Sequence, residues 1–155
     1  MAVSSKKVLI PMLAGIALCS IGCTEPIRVE PRDVCSKPEG TAVTVEGYIL
    51  MPEMMETIQQ MSDGRISAVG YQPLLTADTD AMQHAVKLTV WTTKSSEPNR
   101  MRTLSNNGDR GEVLVYSRDG KELEANRILK LTGEIKSDSA SGCALDVYKI
   151  EEPEL

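Results

Sequence analysis

Two of the clearest alternating runs in this chain carry a glycine near their middle: Val45-Glu46-Gly47-Tyr48-Ile49 and Leu131-Thr132-Gly133-Glu134-Ile135. Strict alternation of apolar and polar residues marks a strand with one face in a core and the other in solvent. Glycine inside such a strand brings no side chain to pack and marks a bulge or a tight bend. Bent strands suit a strongly curved sheet, and in a small domain such a sheet closes into a barrel.

Three further runs complete the set. In the first strand Val43, Val45 and Ile49 point one way and Thr44, Glu46 and Tyr48 the other. A second, over 86–92, has Val86, Leu88 and Val90 inward and Trp91 outward; a third, over 113–116, ends at the turn pair Asp119-Gly120. The fourth, over 128–136, sets Leu129, Leu131 and Ile135 against Lys130, Thr132 and Glu134; the fifth, over 144–150, sets Leu145 and Val147 against Asp146 and Tyr148. The expectation is an all-β domain with minor helix over 41–152, a small five-stranded barrel. Its core has no Phe and a single Trp to draw on, so it is built from Val, Leu, Ile, Met and Ala.

Residues 51–85 separate the first two of these strands, too long a stretch to lack elements of its own. Pro52 at a first-turn position, followed by Glu53, Met54, Met55, Glu56, Ile58 and Met61 at helical spacing, predicts a helix closing at Asp63-Gly64. A short strand over 65–71 and a helical turn over 76–84 complete a partly helical insertion between strands 1 and 2.

The N-terminal segment has a different character. Lys6 and Lys7 precede an apolar run over 8–18 and then small residues, the layout of a secretory signal. Eleven residues fall short of the roughly 20 needed to span a bilayer core. Ser20-Ile21-Gly22-Cys23 resembles the lipobox of bacterial lipoproteins, which implies that Cys23 is acylated and becomes the first residue of the mature chain. Thr24 after the cysteine implies, in a Gram-negative envelope, an outer-membrane address with the domain on the periplasmic side. An ordinary signal peptide cut nearby and an uncleaved apolar helix are the alternatives. On the lipoprotein reading residues 1–22 leave as the signal. Residues 23–40, with Pro26, Pro31 and Pro38 among charged residues, then form an extended tether.

Without residues 1–22 the chain holds 15 Lys and Arg against 22 Asp and Glu, a net charge of −7. Nucleic-acid affinity rests on Lys and Arg neutralising phosphates, so a dedicated nucleic-acid binder is excluded as an expectation. The same removal takes Cys19, and acylation takes Cys23. Cys35 and Cys143 remain, and in an oxidising compartment they are expected to pair.

Val-Thr-Val-Glu-Gly-Tyr-Ile over 43–49, Leu-Lys-Leu-Thr-Gly-Glu-Ile over 129–135 and Ala-Leu-Asp-Val-Tyr-Lys-Ile over 144–150 resemble the first, fourth and fifth strands of bacterial OB-fold proteins of the cell envelope. The resemblance covers about half of 41–151. It implies a first strand antiparallel to the fourth, which brings the start of strand one near the turn between strands four and five and so places Cys35 beside Cys143. It also implies a ligand surface flanked by that turn and by the first connection. Tyr48 and Trp91, with Tyr116, would lie on that face, where aromatics stack bases or sugars or meet an apolar partner. The competing reading has Trp91 covered by the 51–85 insertion.

Other chemistry finds less purchase. Met51, Met54, Met55 and Met61, with Met82 and His84 downstream, offer soft ligands for Cu(I), though methionines at helical spacing more often form an adaptable packing face. No nucleophile elbow, H-E-x-x-H or phosphate-cradling loop is present. Asp78-Thr79-Asp80 and the 117–120 turn are fragments of calcium loops without the remaining ligands. The sequence therefore predicts no cofactor and a non-catalytic binding module, held to a lipid bilayer through Cys23 and engaging an envelope protein or glycan. Copper handling through 51–61 is the alternative.

Overall fold

The computed structural model describes residues 25–51, 56–78, 85–92, 97–103, 113–124 and 127–154. In chain order it contains β1 (Ile27–Val29), a 3-10 helix (Pro31–Ser36), β2 (Ala42–Leu50), β3 (Glu56–Ser62), β4 (Arg65–Gln72), β5 (Leu74–Thr76), β6 (Val86–Trp91), β7 (Met101–Thr103), β8 (Val113–Tyr116), β9 (Glu122–Leu123), β10 (Ile128–Lys136) and β11 (Ala144–Glu151).

Five strands close on themselves. β2 pairs with β10, β10 with β11, β11 with β6, β6 with β5, and β5 returns to β2. All these pairings are antiparallel except β11 with β6, which is parallel. The circuit is steeply staggered. One way round, Ala42 faces Glu134, Glu134 faces Asp146 and Asp146 faces Thr89. The other way, Ile49 faces Leu75 and Leu75 faces Val86, so the level of Thr89 falls past the end of β2 rather than at its start. Large stagger on few strands means steep tilt and a narrow interior filled by side chains. Val43, Val45, Ile49, Leu75, Leu88, Val90, Leu129, Leu131, Leu145, Val147 and Ile150 fill it, all essentially inaccessible to solvent. The molecule is an all-β, OB-like barrel with very little helix.

The two glycines do what curvature requires. A Cβ on Gly133 would lie 2.5 Å from the Asp146 carbonyl oxygen, so β10 and β11 meet there at a distance only glycine allows. The pairing slips at this point: Thr132 faces Lys149 while Gly133 faces Val147, leaving Tyr148 as an extra residue in β11. That bulge shifts the phase, so Ile150 rather than Lys149 follows Leu145 and Val147 into the core. Gly47 sits where β2 passes from β10 to β5, and a Cβ there would lie 2.6 Å from the Thr76 carbonyl oxygen.

Several expectations for the 51–85 segment are corrected. The helix over 52–63 is absent from its described part, since Glu56–Ser62 is a strand paired with β4. Asp63 and Gly64, both at positive φ (52° and 72°), join the strands as a two-residue hairpin turn instead of ending a helix. The insertion thus supplies the second barrel strand, through β4 and β5, and Val86–Trp91 becomes the third. The helical turn placed over 76–84 meets β5 and a bend at 77–78, and 79–84 lie outside the described residues.

Val113–Tyr116 is a strand, but it belongs to a separate sheet, β7-β8-β9, between the third and fourth barrel strands. Met101, Val115 and Leu123 carry this sheet into the common core. Its turn is fastened to the end of β11: the Arg118 N–H donates to the Ile150 carbonyl, and the Ile150 N–H donates to Asn99 Oδ1.

The segment read as a tether is folded onto the barrel from residue 25 onward. β1 lies parallel to β2, with Ile27 facing Val43 and Val29 facing Val45. The 3-10 helix that follows buries Pro31 and Val34 against β2, β5 and β6, and the Cys35–Cys143 disulfide, with Cα atoms 5.8 Å apart, ties it to the β10–β11 turn. Pro31, which looks like a spacer in the sequence, therefore helps shape a plug for one mouth of the barrel.

Candidate functional site

The outward side of β6 carries Lys87, Thr89 and Trp91, and the structure gathers several polar groups around them. Trp91 faces Gly70 on β4, and Gly70 in turn faces Ile58 on β3. A Cβ on Gly70 would meet Ile58 Cγ2 at 2.9 Å and Trp91 Cε3 at 3.3 Å, so the two side chains roof the glycine and make one apolar row across three strands. This is how an aromatic compensates for a glycine in a sheet. The indole N–H donates to the Asp146 carboxylate of β11, and burial holds that carboxyl above the usual aspartate range. Trp91 is half-buried, packed beside Ile58 and Gly70 of the 51–85 segment.

Lys87 lies below this row. Its ammonium is 2.7 Å from Glu56 of β3 and 3.4 Å from Asp138 of the β10–β11 turn, and its side chain is only 12% exposed. The hydrogen bond it donates to the Glu56 carboxylate is the main cause that raises its pKa above that of a free lysine. One amine thus pins the base of the hairpin to the turn on the far side of the face. Asp138 also receives the hydroxyl and backbone N–H of Ser141, and these bonds, with Lys87, lower its carboxyl to about 2. Sequence periodicity points to Lys87 only as an outward residue of a strand. Its partners come from two distant segments.

The aromatic candidates do not share a surface. Tyr48 is half-buried on β2, opposite Thr76 and Ile128, at the β5 junction. β2 and β6 are separated by β5 on one side and by β10 and β11 on the other, so Tyr48 and Trp91 occupy different parts of the wall. Tyr116, placed on the ligand face by its sequence, is 4% exposed, at the end of β8 in the separate three-stranded sheet. Its strand runs outside the barrel wall, which is why its phase misled.

The two described members of the methionine set, Met51 and Met61, stand apart. Met51 packs against the barrel core, Met61 is 57% exposed near the hairpin turn, and Met54, Met55 and His84 lie outside the described residues. In an extended strand Met61 is carried roughly 16 Å from Glu56 at ~3.3 Å per residue, so the helical face that would have gathered the thioethers is not there. Among the described residues no three His, Cys, Asp or Glu side chains gather as metal ligands. Cys23 also lies outside the described residues.

The hairpin β3–β4 was not foreseen as a site. All seven residues of β3 are exposed, and among the described residues β3 pairs only with β4, leaving its other edge open. Ile58 (37%), Met61 (57%) and Ile66 (54%) are exposed there, three of the six large apolar side chains most open to solvent among the described residues. The signal that could have found it is Asp63-Gly64 between two runs of β-compatible residues.

A cleft of about 390 Å³ opens between β9, the start of β10 and residues 152–153, lined by Lys121, Leu123, Arg127, Ile128 and Glu152 among others. Its charges are spent on the chain itself: Lys121 meets Glu152 at 3.0 Å and Arg127 meets Glu124 at 3.0 Å. Pairs this exposed are weak and form no convergent set.

Against known protein families the chain matches no family model, and no curated protein matches it either.

Proposed function

We propose that this chain is a lipid-anchored, non-catalytic interaction module of a bacterial cell envelope, acylated on Cys23, that engages an envelope partner through the β3–β4 hairpin. The observation that carries the reading is the hairpin's exposure. Two strands leave the barrel, and one of them presents seven exposed residues, three large apolar side chains across the pair and an open edge. Exposed edges are normally blunted by lysine, proline or a covering element, because an unpaired row of N–H and C=O groups invites another strand. Glu-Thr-Ile-Gln-Gln-Met-Ser carries neither lysine nor proline. An extended segment of an envelope protein, added along β3, fits this edge: main-chain hydrogen bonds supply affinity, and Ile58 and Met61 supply selectivity.

Three features support a binding role over a catalytic one. Lys87, Asp138 and Asp146, the groups whose protonation the fold perturbs on the outward face, are each held by partners within the chain. Charge opposes a polyanionic partner. The Ser20-Ile21-Gly22-Cys23 pattern and the Cys35–Cys143 disulfide both suit an oxidising envelope.

The test is site-specific photocrosslinking in the native membrane, with the reactive group at Ile58 or Met61 and, as control, at Ile128 on the barrel. Adducts from the hairpin positions and not from Ile128 are expected. Adducts confined to Ile128, or none from the hairpin, would reject the hairpin as the contact.

A further inference from the structure

The anchor and the barrel are closer than the sequence suggests. Ile27 opens β1, so only Thr24, Glu25 and Pro26 stand between Cys23 and a strand hydrogen-bonded to the barrel. At ~3.5 Å per residue that link reaches roughly 14 Å, against the roughly 35 Å of an extended dozen-residue tether. Nothing in the fold lets the link lengthen easily. β1 is held along β2, Pro31 and Val34 are buried behind it, and the disulfide fixes the far end of the segment to Cys143.

The strand directions say which end this is. β1 is parallel to β2, β11 runs in the same sense because it is antiparallel to β10, and β6 is parallel to β11. The starts of all four strands lie at one rim, together with the 137–143 turn and the disulfide. β4 is antiparallel to β6, with Gly70 facing Trp91 at the end of β6. The hairpin turn, six residues before Gly70, therefore projects beyond the opposite rim by roughly 20 Å at ~3.3 Å per residue. Ile27, the first residue of β1, is 51% exposed beside the point where the chain leaves for Cys23.

We propose that the barrel sits directly on the bilayer that holds Cys23, its disulfide rim and Ile27 against the lipid headgroups and its hairpin pointing away from the membrane. The proposal rests on the acylation read above. The occupant of the disulfide rim is a lipid surface, chosen by the length of chain between Cys23 and β1 and by where that chain leaves the barrel. The hairpin is then delivered to partners across the compartment, or on the far layer, and not to proteins embedded beside the anchor.

Energy transfer on the full-length acylated protein in phosphatidylethanolamine and phosphatidylglycerol vesicles tests this. A fluorophore is introduced at Ser139 in the disulfide-rim turn or at Gly64 in the hairpin turn, with acceptor-labelled headgroups. Several-fold greater transfer from Ser139 than from Gly64 is expected, and insertion of roughly 20 Gly and Ser residues between Thr24 and Glu25 should erase most of the difference. Equal transfer from both positions in acylated protein, or greater transfer from Gly64, would overturn the orientation while leaving the anchor standing. A mature N-terminal peptide without lipid on Cys23 would overturn the anchor and the orientation with it.

Discussion

Gly133 shows how little room this barrel leaves at the level of single residues. A methyl group there would stand 2.5 Å from the Asp146 carbonyl oxygen and 2.9 Å from Leu145 Cγ, and the first of these is backbone that cannot turn aside. Gly133→Ala should therefore cost about 1–3 kcal/mol, the range of overpacked sites, in urea unfolding monitored by Trp91 fluorescence. A loss within the ~0.5 kcal/mol usual for surface changes would mean the strands can separate there. Asp138 makes a prediction of another kind. Its carboxyl is lowered to about 2 from an ordinary 3.8, first by the Ser141 hydroxyl and backbone N–H and then by Lys87. A depressed acid contributes stability that is complete above the unfolded value and is lost as pH falls through the folded one. Thermal melts of the parent should weaken between about pH 4 and pH 2, and Asp138→Asn should remove part of that slope. An unchanged slope would mean the turn's hydrogen bonds do not distinguish the charged form. Asp146 acts with opposite sign, because burial raises its carboxyl and favours the protonated form.

At the scale of elements the question is what holds the hairpin to the barrel. β4 meets β6 through Gly70–Trp91 and Tyr71–Val90, with Thr92 just past β6 donating its N–H and hydroxyl to the Val69 carbonyl, and the row of Ile58, Gly70 and Trp91 covers that joint on the outward side. Trp91→Ala removes the cover and leaves Asp146 without its indole donor. The expected cost is about 2 kcal/mol, below the ~3–5 kcal/mol of a fully buried tryptophan because Trp91 is half-exposed. Hydrogen exchange should show protection lost first in β3 and β4 and retained in β10 and β11; uniform loss would place Trp91 in the main core instead. The same region marks where the sequence was readable and where it was not. β2, β6, β10 and β11 each set one face against a core, so period two shows them directly, and the pairing of Cys35 with Cys143 follows from strand order and the expectation of an oxidising compartment. Residues 56–62 satisfy two periods at once. Ile58 and Met61 are three apart, as on a helix, while Thr57 and Ile58 are β-branched, and with every residue exposed no core selects between the two. Leu74-Leu75-Thr76 is too short to show any period, yet it closes the barrel. Which outward residues share a face depends on strand order, and for that reason Lys87, Glu56 and Asp138 went unseen while Tyr48 and Trp91 were wrongly joined.

For the whole molecule, the mouth plugged by the 3-10 helix decides both stability and reach. The disulfide spans 108 residues and encloses nearly every strand, so its loss frees the unfolded chain of a long closed loop. In the chain-entropy model such a loop is worth up to about 4–5 kcal/mol, with native strain and residual unfolded structure lowering the measured figure. Replacing both Cys35 and Cys143 by Ser should therefore give the largest fall in stability of the substitutions named here, and its local signature should be specific. Without the cross-link, Pro31 and Val34 still have burial to hold them, and β1 still has its three residues on β2. That is a small set of contacts for a segment that leads straight to the proposed anchor at Cys23. Limited proteolysis of the double variant should cut within 30–40 before any barrel strand, whereas the parent should resist there until it unfolds globally. Cutting of both proteins at the same site and rate would show that packing alone seats the plug. Early cutting in the variant alone would show that the disulfide keeps the N-terminal segment from becoming the long tether its prolines suggest.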